Sequence, residues 1–369
     1  MDHSYRVEYL HDETPLISII IPTKDKLEYF QPCIESLLEK TTYTNYEVLV
    51  VDNQSTEPDT LAFYDEIVSK HPDRVKVHYY DKAFNFSAMN NWAAEKANGD
   101  YLLMLNNDTQ IIQPEWLTRL VSYGQRTDVG AVGAKLVYPT SGKVQHVGVV
   151  LGLMDIVDHP YNGHLTMDEP GYMGRAQLDQ NYSAVTAAVM LVKKEVYSQT
   201  EGMNEQQLPV QYNDVDLCLR IGDAGYKVVW TPYSMVVHHG GTSRKTDKNA
   251  MSHMYTDYHA NADKYSSSQQ EYWYFLQQWL PKLANDPAYN KNLSLIEGFA
   301  IEHNAVSNWD VNFSSRPHYF GRAIPGGSGE YRMKQPFAAL REAGIAQCEV
   351  ASQTHLSISE ITRLQPDTY

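Results

Sequence analysis

The chain has 369 residues, of which 43% are hydrophobic, and a formal net charge of −15 that arises from 30 Lys and Arg against 45 Asp and Glu. This length is sufficient for two folded units with full cores, and the acidic balance excludes a basic surface that would follow a nucleic-acid backbone. The three cysteines have no paired spacing, which excludes a disulfide framework and a zinc knuckle and is typical of a reducing compartment.

The first 15 residues are polar and lack the apolar core of a signal peptide. No apolar run in the sequence is long enough to span a bilayer. These two features predict a cytoplasmic protein, with at most peripheral contact at the inner face of the cell membrane.

The first 125 residues alternate between β-branched apolar runs and segments of helical periodicity. The runs predict strands at residues 16–22, 47–52, 75–80 and 101–105, and the periodic segments predict helices at residues 27–40, 60–69, 87–97 and 114–123. Pro114 takes a first-turn position in the last of these helices. Strands that are apolar on both faces and alternate with helices indicate an α/β fold with a doubly wound, mostly parallel sheet.

Beyond residue 125 the alternation weakens. Residues 129–138, 144–152 and 184–192 still predict strands, whereas residues 154–182 lack clear periodicity, as is typical of a functional lid or binding loop. Residues 245–290 are helical and aromatic, and a Gly-rich loop leads into a further helix at residues 333–343. The predicted divisions are a first domain at residues 1–245, a helical extension at 246–310, and a linker with a further unit at 311–369.

Polar side chains follow three of the predicted strands, in the runs at residues 23–25, 52–53 and 106–108. Open α/β sheets bind ligands beyond the carboxyl ends of their strands. Asp108 offers a hard oxygen ligand to a cation that bridges two phosphates. Farther along the chain, Asp214 and Asp216 open a helix-like segment, and His238 leaves a β-branched stretch. The sequence therefore indicates an enzyme that handles a phosphorylated donor through a divalent ion.

These motifs, in this order, resemble the family 2 glycosyltransferases of the GT-A fold, above all the bacterial enzymes that build O-antigen and capsule polysaccharides. The resemblance covers about residues 16–244 and depends on residues 16–22, 51–55, 99–100, 103–108, 213–220 and 225–226 and on the pattern His238-x-Gly240-Gly241-x-Ser243. It implies an inverting transfer of a hexosyl or deoxyhexosyl group from a nucleoside-diphosphate sugar to a glycan or lipid-linked acceptor, with Mn²⁺ or Mg²⁺ as cofactor.

The resemblance also implies roles for individual residues. Asp214 matches the Asp of the family's Glu-Asp pair and is the expected general base, with Asn213 in place of the Glu. Asp108 and His238 match the metal ligands, and His239 is expected to point the other way on an extended segment. The expected nucleotide-binding residues are Pro22, Thr23, Asp25, Asp52, Asn85, Asn91, Asn106 and Asn107.

Several of these residues also have a structural alternative. An Asp-Asn pair at a strand end forms Asx turns, so Asp52 can cap the next segment. Asp108 can be the N-cap of a helix. Asp216 is expected to cap its helix or to pair with Arg220 four residues later. For Asn85 and Asn91, helix capping or a surface position is an equal alternative.

Two other functions compete with sugar transfer. A sugar-1-phosphate nucleotidyltransferase shares the sheet type and the need for a metal, but the run at residues 23–26 does not resemble the Gly-rich basic loop that holds a triphosphate. A degenerate sugar-nucleotide-binding module that serves as a scaffold is supported by Asn106 and Asn213, which stand where the family has acids.

The C-terminal residues 325–350 resemble the opening of a GT-B glycosyltransferase, in which a Gly-Gly loop enters a helix that ends in Ala-Gly. The resemblance covers a single β-loop-α unit. It implies a downstream catalytic domain in a longer chain. The alternative is a C-terminal appendage that packs on the first domain.

Overall fold

The structure is a computed structural model, and it describes residues 5–11, 13–240, 267–296, 298–301, 316–324, 326–351 and 357–364. The chain divides into two compact units, of which the first comprises Met1–Val149 and His159–Phe275, and the second Val150–Asp158 and Leu276–Tyr369. The predicted divisions after residues 245 and 310 lie outside the described residues, and so do Gly241 and Ser243.

The helices and strands follow one another as a βα alternation that gives way to a strand-rich second part. The strands are β1 (Ile17–Thr23), β2 (Tyr46–Asp52), β3 (Val75–Tyr79), β4 (Tyr101–Leu105), β5 (Thr109–Ile111), β6 (Val129–Val137), β7 (Val144–His146), β8 (Val150–Leu151), β9 (Val157–Asp158), β10 (Gln180–Tyr182), β11 (Val189–Lys193), β12 (Lys227–His238), β13 (His318–Arg322) and β14 (Gln347–Ala351). The α-helices from the N-terminus onward are α1 (Leu27–Lys40), α2 (Pro58–Lys70), α3 (Phe86–Lys96), α4 (Trp116–Gly124), α5 (Lys194–Gln199), α6 (Asn213–Asp223) and α7 (Ser267–Ala284).

One mixed, mainly parallel sheet forms the first unit, with the strand order β10-β12-β6-β11-β4-β1-β2-β3. Strands β3, β2, β1 and β4 are parallel neighbours, whereas β11 is antiparallel to both β4 and β6. Strand β5 adds to β12, and β7 adds to β6, in antiparallel pairs. The prediction of an α/β fold with a mostly parallel sheet and flanking helices is therefore confirmed.

Apolar side chains cover both faces of the central strands. Ile19 and Ile20 point to opposite faces of β1, and both are fully buried. Helix α1 buries Phe30, Ile34 and Leu37 at helical spacing. Each such side chain contributes about 1.5–3 kcal/mol through the apolar surface that it removes from water. This packing holds the carboxyl ends of β1, β2 and β4 at one edge of a rigid sheet.

Three predicted elements differ from the structure. Helix α4 begins at Trp116, and Pro114 precedes it, with its carbonyl accepting hydrogen bonds from the N–H and hydroxyl groups of Thr42. The strand predicted at residues 144–152 is divided into β7 and β8 because Gly148 has a φ of 98°, which an extended strand does not adopt. The strand predicted at residues 184–192 is regular only from Val189.

The segment between β8 and β11 contains little regular structure, as predicted, and a buried lysine anchors part of it. Lys135 lies on β6 and is only 2% exposed. Its Nζ donates to the carbonyls of Met167 at 2.7 Å and Ala176 at 3.1 Å. Burial lowers the pKa of Lys135 to about 8, against the weaker opposing effect of Asp168.

We expect the cost of burying the charged Lys135 to be relieved between about pH 8 and pH 10.5. In this window the unfolded chain binds a proton that the folded chain has lost, so the free energy of unfolding rises with pH. The lowered pKa corresponds to at most about 3 kcal/mol. Urea denaturation of the wild type and of Lys135→Met, run in parallel at several pH values, measures this difference. A difference between the two proteins that stays constant with pH contradicts the prediction.

The second unit contains a β-α-β element. Strands β13 and β14 are parallel, and helical segments at Gly327–Gly329, Glu330–Lys334 and Gln335–Glu342 connect them. The last described helix, Ile358–Leu364, is joined to the rest of this unit by Arg363, whose side chain donates to the carbonyls of Ala284 and Leu293. A β-α-β element occurs in many folds, so the start of a GT-B-like domain stays a prediction. In the part of the chain that the structure describes, no helix has the length and hydrophobicity of a membrane span.

Candidate active site

Asp108 and His238 meet at the carboxyl edge of the sheet. Asn106–Asp108 form the turn between β4 and β5, and the pairing of β5 with the end of β12 brings His238 beside this turn. Asp108 Oδ1 lies 3.0 Å from His238 Nε2. The N–H of Gly240 donates to Asp108 Oδ2 at 3.2 Å. Because strand β5 follows the turn directly, Asp108 does not cap a helix.

The two neighbouring histidines face different surroundings. His238 Nε2 lies 3.3 Å from Asn106 Nδ2, and His238 Nδ1 lies 2.6 Å from Gln145 Oε1. The ring of His239 instead meets the ring of Tyr29 edge-on, with centroids 5.3 Å apart. The alternation of an extended chain therefore turns the imidazole of His238, and not that of His239, towards Asp108.

The geometry of this cluster fits a divalent cation with two protein ligands. Gln145 Oε1 is placed to accept a hydrogen from His238 Nδ1, and a ring with its hydrogen there would present the Nε2 lone pair to a metal beside Asp108. Adjacent ligands of an ion with bonds of about 2.1 Å lie roughly 3 Å apart, which is the separation between His238 Nε2 and Asp108 Oδ1. Among the described residues no set of three or more His, Cys, Asp and Glu side chains can hold a metal. Phosphate or water oxygens would have to complete the coordination.

The ends of β1 and β2 bring two more predicted residues to the same edge. Thr23 and Asp52 are direct neighbours in the parallel pair, and the side chain of Asn107 donates to Thr23 Oγ1 at 2.9 Å. Asp52 is 2% exposed, with Oδ2 accepting from the N–H of Ser55 and Oδ1 from the hydroxyl of Tyr64. The Asp52 carboxylate thus caps the segment that follows it, which was its structural alternative. Contact of Asp52 with the nucleotide stays a prediction.

Asp25 joins the loop after β1 to the start of α2. Its Oδ1 accepts from the backbone N–H groups of Thr56 at 2.7 Å and Glu57 at 2.9 Å. A carboxylate in this position satisfies N–H groups at a helix N-terminus. Pro22 is buried within β1, one residue before Thr23. Both residues therefore support the edge of the sheet, and their contact with a nucleotide stays a prediction.

Asn85 and Asn91 support helix α3 and the segment that leads to α6. Asn85 is the N-cap of α3: its Oδ1 accepts from the N–H of Ala88, and its Nδ2 donates to the carbonyl of Glu205. The Asn91 amide exchanges hydrogen bonds with the backbone of Met203 and accepts from the hydroxyl of Tyr197. Asn85 therefore has the helix-capping role of its structural alternative, whereas Asn91 neither caps the helix nor lies exposed on the surface; contact of either residue with a nucleotide stays a prediction.

The first turn of α6 presents two carboxylates in different roles. Asp214 is half-buried, and its Oδ2 accepts from the backbone N–H of Ala187 at 3.0 Å. Asp216 is buried, and its Oδ2 lies 2.7 Å from the guanidinium of Arg220, as the spacing of four residues predicts. Asp216 is thus part of an internal ion pair, while Asp214 remains accessible for chemistry.

A buried dipeptide connects Asp214 with the turn that carries Asp108. The N–H of Asn106 donates to the carbonyl of Ala188 at 3.0 Å, and the preceding residue, Ala187, holds Asp214. The structure therefore links the predicted base and the predicted metal ligands through the chain that enters β11.

Two residues near the site, Gln145 and His146, were not among the predicted ones. Gln145 contacts His238. Asn53, in the polar run after β2, holds the loop after β3 through the carbonyls of Tyr80 and Lys82. His146 is fully buried with its Nδ1 2.8 Å from that of His159, and burial holds the pKa of His146 well below its usual range. The imidazole of His146 is therefore neutral at physiological pH. An isolated Gln or His in a short strand carries no motif that a sequence could reveal.

Comparison with known proteins identifies relatives for most of this chain. A family model described as Glycosyl transferase family 2 matches residues 18–171. The chain is 41% identical over 294 residues to an uncharacterized protein, y4gI, of Sinorhizobium fredii, a match that covers 79% of this chain and 30% of that protein. It is 37% identical over 297 residues to the O-antigen biosynthesis protein RfbC of Myxococcus xanthus, covering 79% of this chain and 21% of that protein. The chain thus spans less than a third of the length of these relatives.

A solved structure resembles the fold at low sequence identity. The crystal structure of GalNAc-T7 with UDP, GalNAc and Mn²⁺ superposes with a TM-score of 0.52 at 14% identity, covering 62% of this chain and 44% of that one. This likeness concerns the fold alone. Together with the family match over residues 18–171, it shows that the chain contains a glycosyl transferase family 2 domain with the GT-A fold.

Proposed function

We propose that this domain is an inverting, metal-dependent glycosyltransferase. It would move a sugar from a nucleoside-diphosphate sugar to a hydroxyl of a glycan or lipid-linked acceptor during the assembly of a bacterial surface polysaccharide. The observation that carries this proposal is the 3.0 Å approach of Asp108 to His238, with Asp214 joined to the same turn through Ala187. A cation ligand pair and an accessible carboxylate are the two groups that such a transfer requires.

The residues divide the chemistry between them. Asp108 and His238 would hold a Mn²⁺ or Mg²⁺ ion, which neutralises the leaving diphosphate when it is bound. Asp214 would remove the proton of the acceptor hydroxyl. Each of its oxygens accepts one backbone N–H, from Val215 and from Ala187, so lone pairs remain on both oxygens to receive that proton. Asn107 and Thr23 would line the donor side of the edge.

The relatives support the proposed process and donor. One of them is named as an O-antigen biosynthesis protein, and the solved structure of similar fold contains UDP, GalNAc and Mn²⁺. Asn213 favours one alternative, because an amide stands where the family has an acid. That alternative is a module that binds a sugar nucleotide without transferring the sugar.

Incubation of the full chain with UDP-, GDP- and dTDP-sugars, with and without Mn²⁺, separates these functions. We expect metal-dependent release of the nucleoside diphosphate, slow with water and faster with an added lipid-linked acceptor. Formation of a nucleoside triphosphate from added pyrophosphate would identify a nucleotidyltransferase. Saturable binding of a donor without any release would identify the binding module, and either result would overturn the proposed transfer.

A further inference from the structure

Gln145 lies against the side of the His238 ring that faces away from Asp108. It belongs to β7, which pairs with β6, and it is 8% exposed. The distance of 2.6 Å between Gln145 Oε1 and His238 Nδ1 is that of a short hydrogen bond. The ring is thus held between an amide oxygen at one nitrogen and a carboxylate at the other.

This arrangement decides which ring nitrogen carries the hydrogen. A neutral imidazole has one N–H, for which Gln145 Oε1 at Nδ1 and Asp108 Oδ1 at Nε2 compete; the shorter contact to Gln145 and the donor NH₂ group of Asn106 beside Nε2 favour the hydrogen on Nδ1. His238 Nε2 then presents its lone pair towards Asp108 Oδ1 and the NH₂ group of Asn106. Without the oxygen of Gln145, the carboxylate of Asp108 would be the remaining acceptor and would draw the hydrogen to Nε2. A hydrogen on Nε2 prevents that atom from binding a cation.

The backbone beyond His238 leaves room for this amide. Gly240 has a φ of 63°, and a Cβ atom there would lie 2.4 Å from Gln145 Nε2. A side chain at residue 240 would therefore displace the amide of Gln145. The N–H of the same glycine donates to Asp108 Oδ2, so Gly240 serves both partners of the histidine.

We propose that Gln145 is a positioning residue that fixes His238 as the Nδ1–H tautomer and so keeps Nε2 available to the cation. This inference rests on the metal-dependent reaction proposed above. Outer partners of metal-binding histidines typically change metal affinity by about 10–100-fold when they are replaced. Gln145 acts through His238 and contacts neither donor nor acceptor in this proposal.

Two variants of the full chain test the proposal. Gln145→Met keeps the length of the side chain but has no acceptor oxygen, whereas Gln145→Glu keeps an acceptor. We expect Gln145→Met to weaken Mn²⁺ binding in the presence of UDP or GDP by about 10–100-fold, measured by electron paramagnetic resonance. Gln145→Glu should retain the affinity. Gln180→Met makes the same change at Gln180 on β10, whose amide contacts the carbonyl of Leu178, and should leave the affinity unchanged.

Long-range ¹H–¹⁵N correlation spectra of the metal-free protein, recorded over a series of pH values, read the tautomer of His238 directly. A His238→Ala variant assigns the signal. We expect Nδ1–H in the wild type and in Gln145→Glu, and Nε2–H in Gln145→Met. A wild-type Nε2–H signal, or unchanged tautomer and affinity in Gln145→Met, would overturn the proposal. A tautomer that changes as expected in a protein that binds no Mn²⁺ with any nucleoside diphosphate would support the positioning by Gln145 and overturn the metal site of the proposed function.

Discussion

Replacement of Asp214 by Asn is expected to lower the rate of sugar transfer by about 10²–10⁴-fold, the usual contribution of a positioned general base. The amide has nearly the shape of the carboxylate and can still accept from the N–H of Ala187 through its oxygen. It cannot take a proton from the acceptor at neutral pH. Donor affinity should therefore change little, and the comparison of transfer rate with donor binding measures the effect.

Asp216→Asn is the matched control for this experiment. The carboxylate is buried and paired with Arg220, whose side chain is 26% exposed, so its neutralisation leaves a partly buried guanidinium without its partner charge. We expect a loss of stability of about 1–3 kcal/mol, seen in thermal unfolding, with near-normal transfer at temperatures where the variant is folded. If Asp216→Asn loses transfer while Asp214→Asn keeps it, the roles of the two carboxylates are reversed. If both keep it, the base is elsewhere.

Removal of the Asp108 carboxylate is expected to abolish the metal dependence of nucleotide binding. Asp108→Ala deletes one of the two protein ligands in the proposed site and leaves the Nε2 atom of His238 without its partner. Replacing a residue that only hydrogen-bonds a metal ligand already lowers metal affinity by about 10–100-fold. Replacing the ligand Asp108 itself should lower the affinity by more than this. Calorimetric titration with UDP or GDP, with and without Mn²⁺, measures it. His238→Ala should weaken the same binding.

Asp128→Ala provides the same substitution at a site remote from the proposed metal. Asp128 precedes β6 and pairs with Arg126 and Lys227. Lys227 is the first residue of β12 and His238 is the last, so this ion pair lies at the opposite end of β12 from the proposed metal site. Its removal should leave the metal dependence intact. Equal Mn²⁺ enhancement of nucleotide binding in the wild type and in both the Asp108 and His238 variants would exclude these residues as ligands.

The edge that carries the candidate site could be predicted from local sequence patterns. Thr23 and Asp52 end apolar, β-branched runs, Asp108 follows the apolar run at residues 101–105, and parallel strands must place their carboxyl ends together. The pairing of β5 with β12, which brings His238 to Asp108, joins residues far apart in the chain. Hydrophobic periodicity describes single elements and cannot predict a contact between distant residues. That Asp108 and His238 lie together was therefore expected only from the resemblance of their motifs to a known family.

Other parts of the site were beyond sequence reasoning for physical reasons. The N–H of Ala187 is a backbone group that any residue offers, so nothing in the sequence marks it as the partner of Asp214. Gln145 lies in a strand of three residues, too short for a clear period. The contacts that Asn85 and Asn91 make with the segment before α6 were likewise not indicated by any local pattern, because they join residues far apart in the chain.

The dipeptide Ala187-Ala188 has a consequence for how this domain can diversify. It contacts Asp214 on one side and Asn106 on the other through main-chain atoms alone. Both alanine side chains are buried, so only small side chains fit at these two positions, and the main-chain atoms fix the spacing between Asp214 and the turn at Asn106–Asp108. That spacing can stay constant while the irregular segment at residues 159–178 varies in sequence.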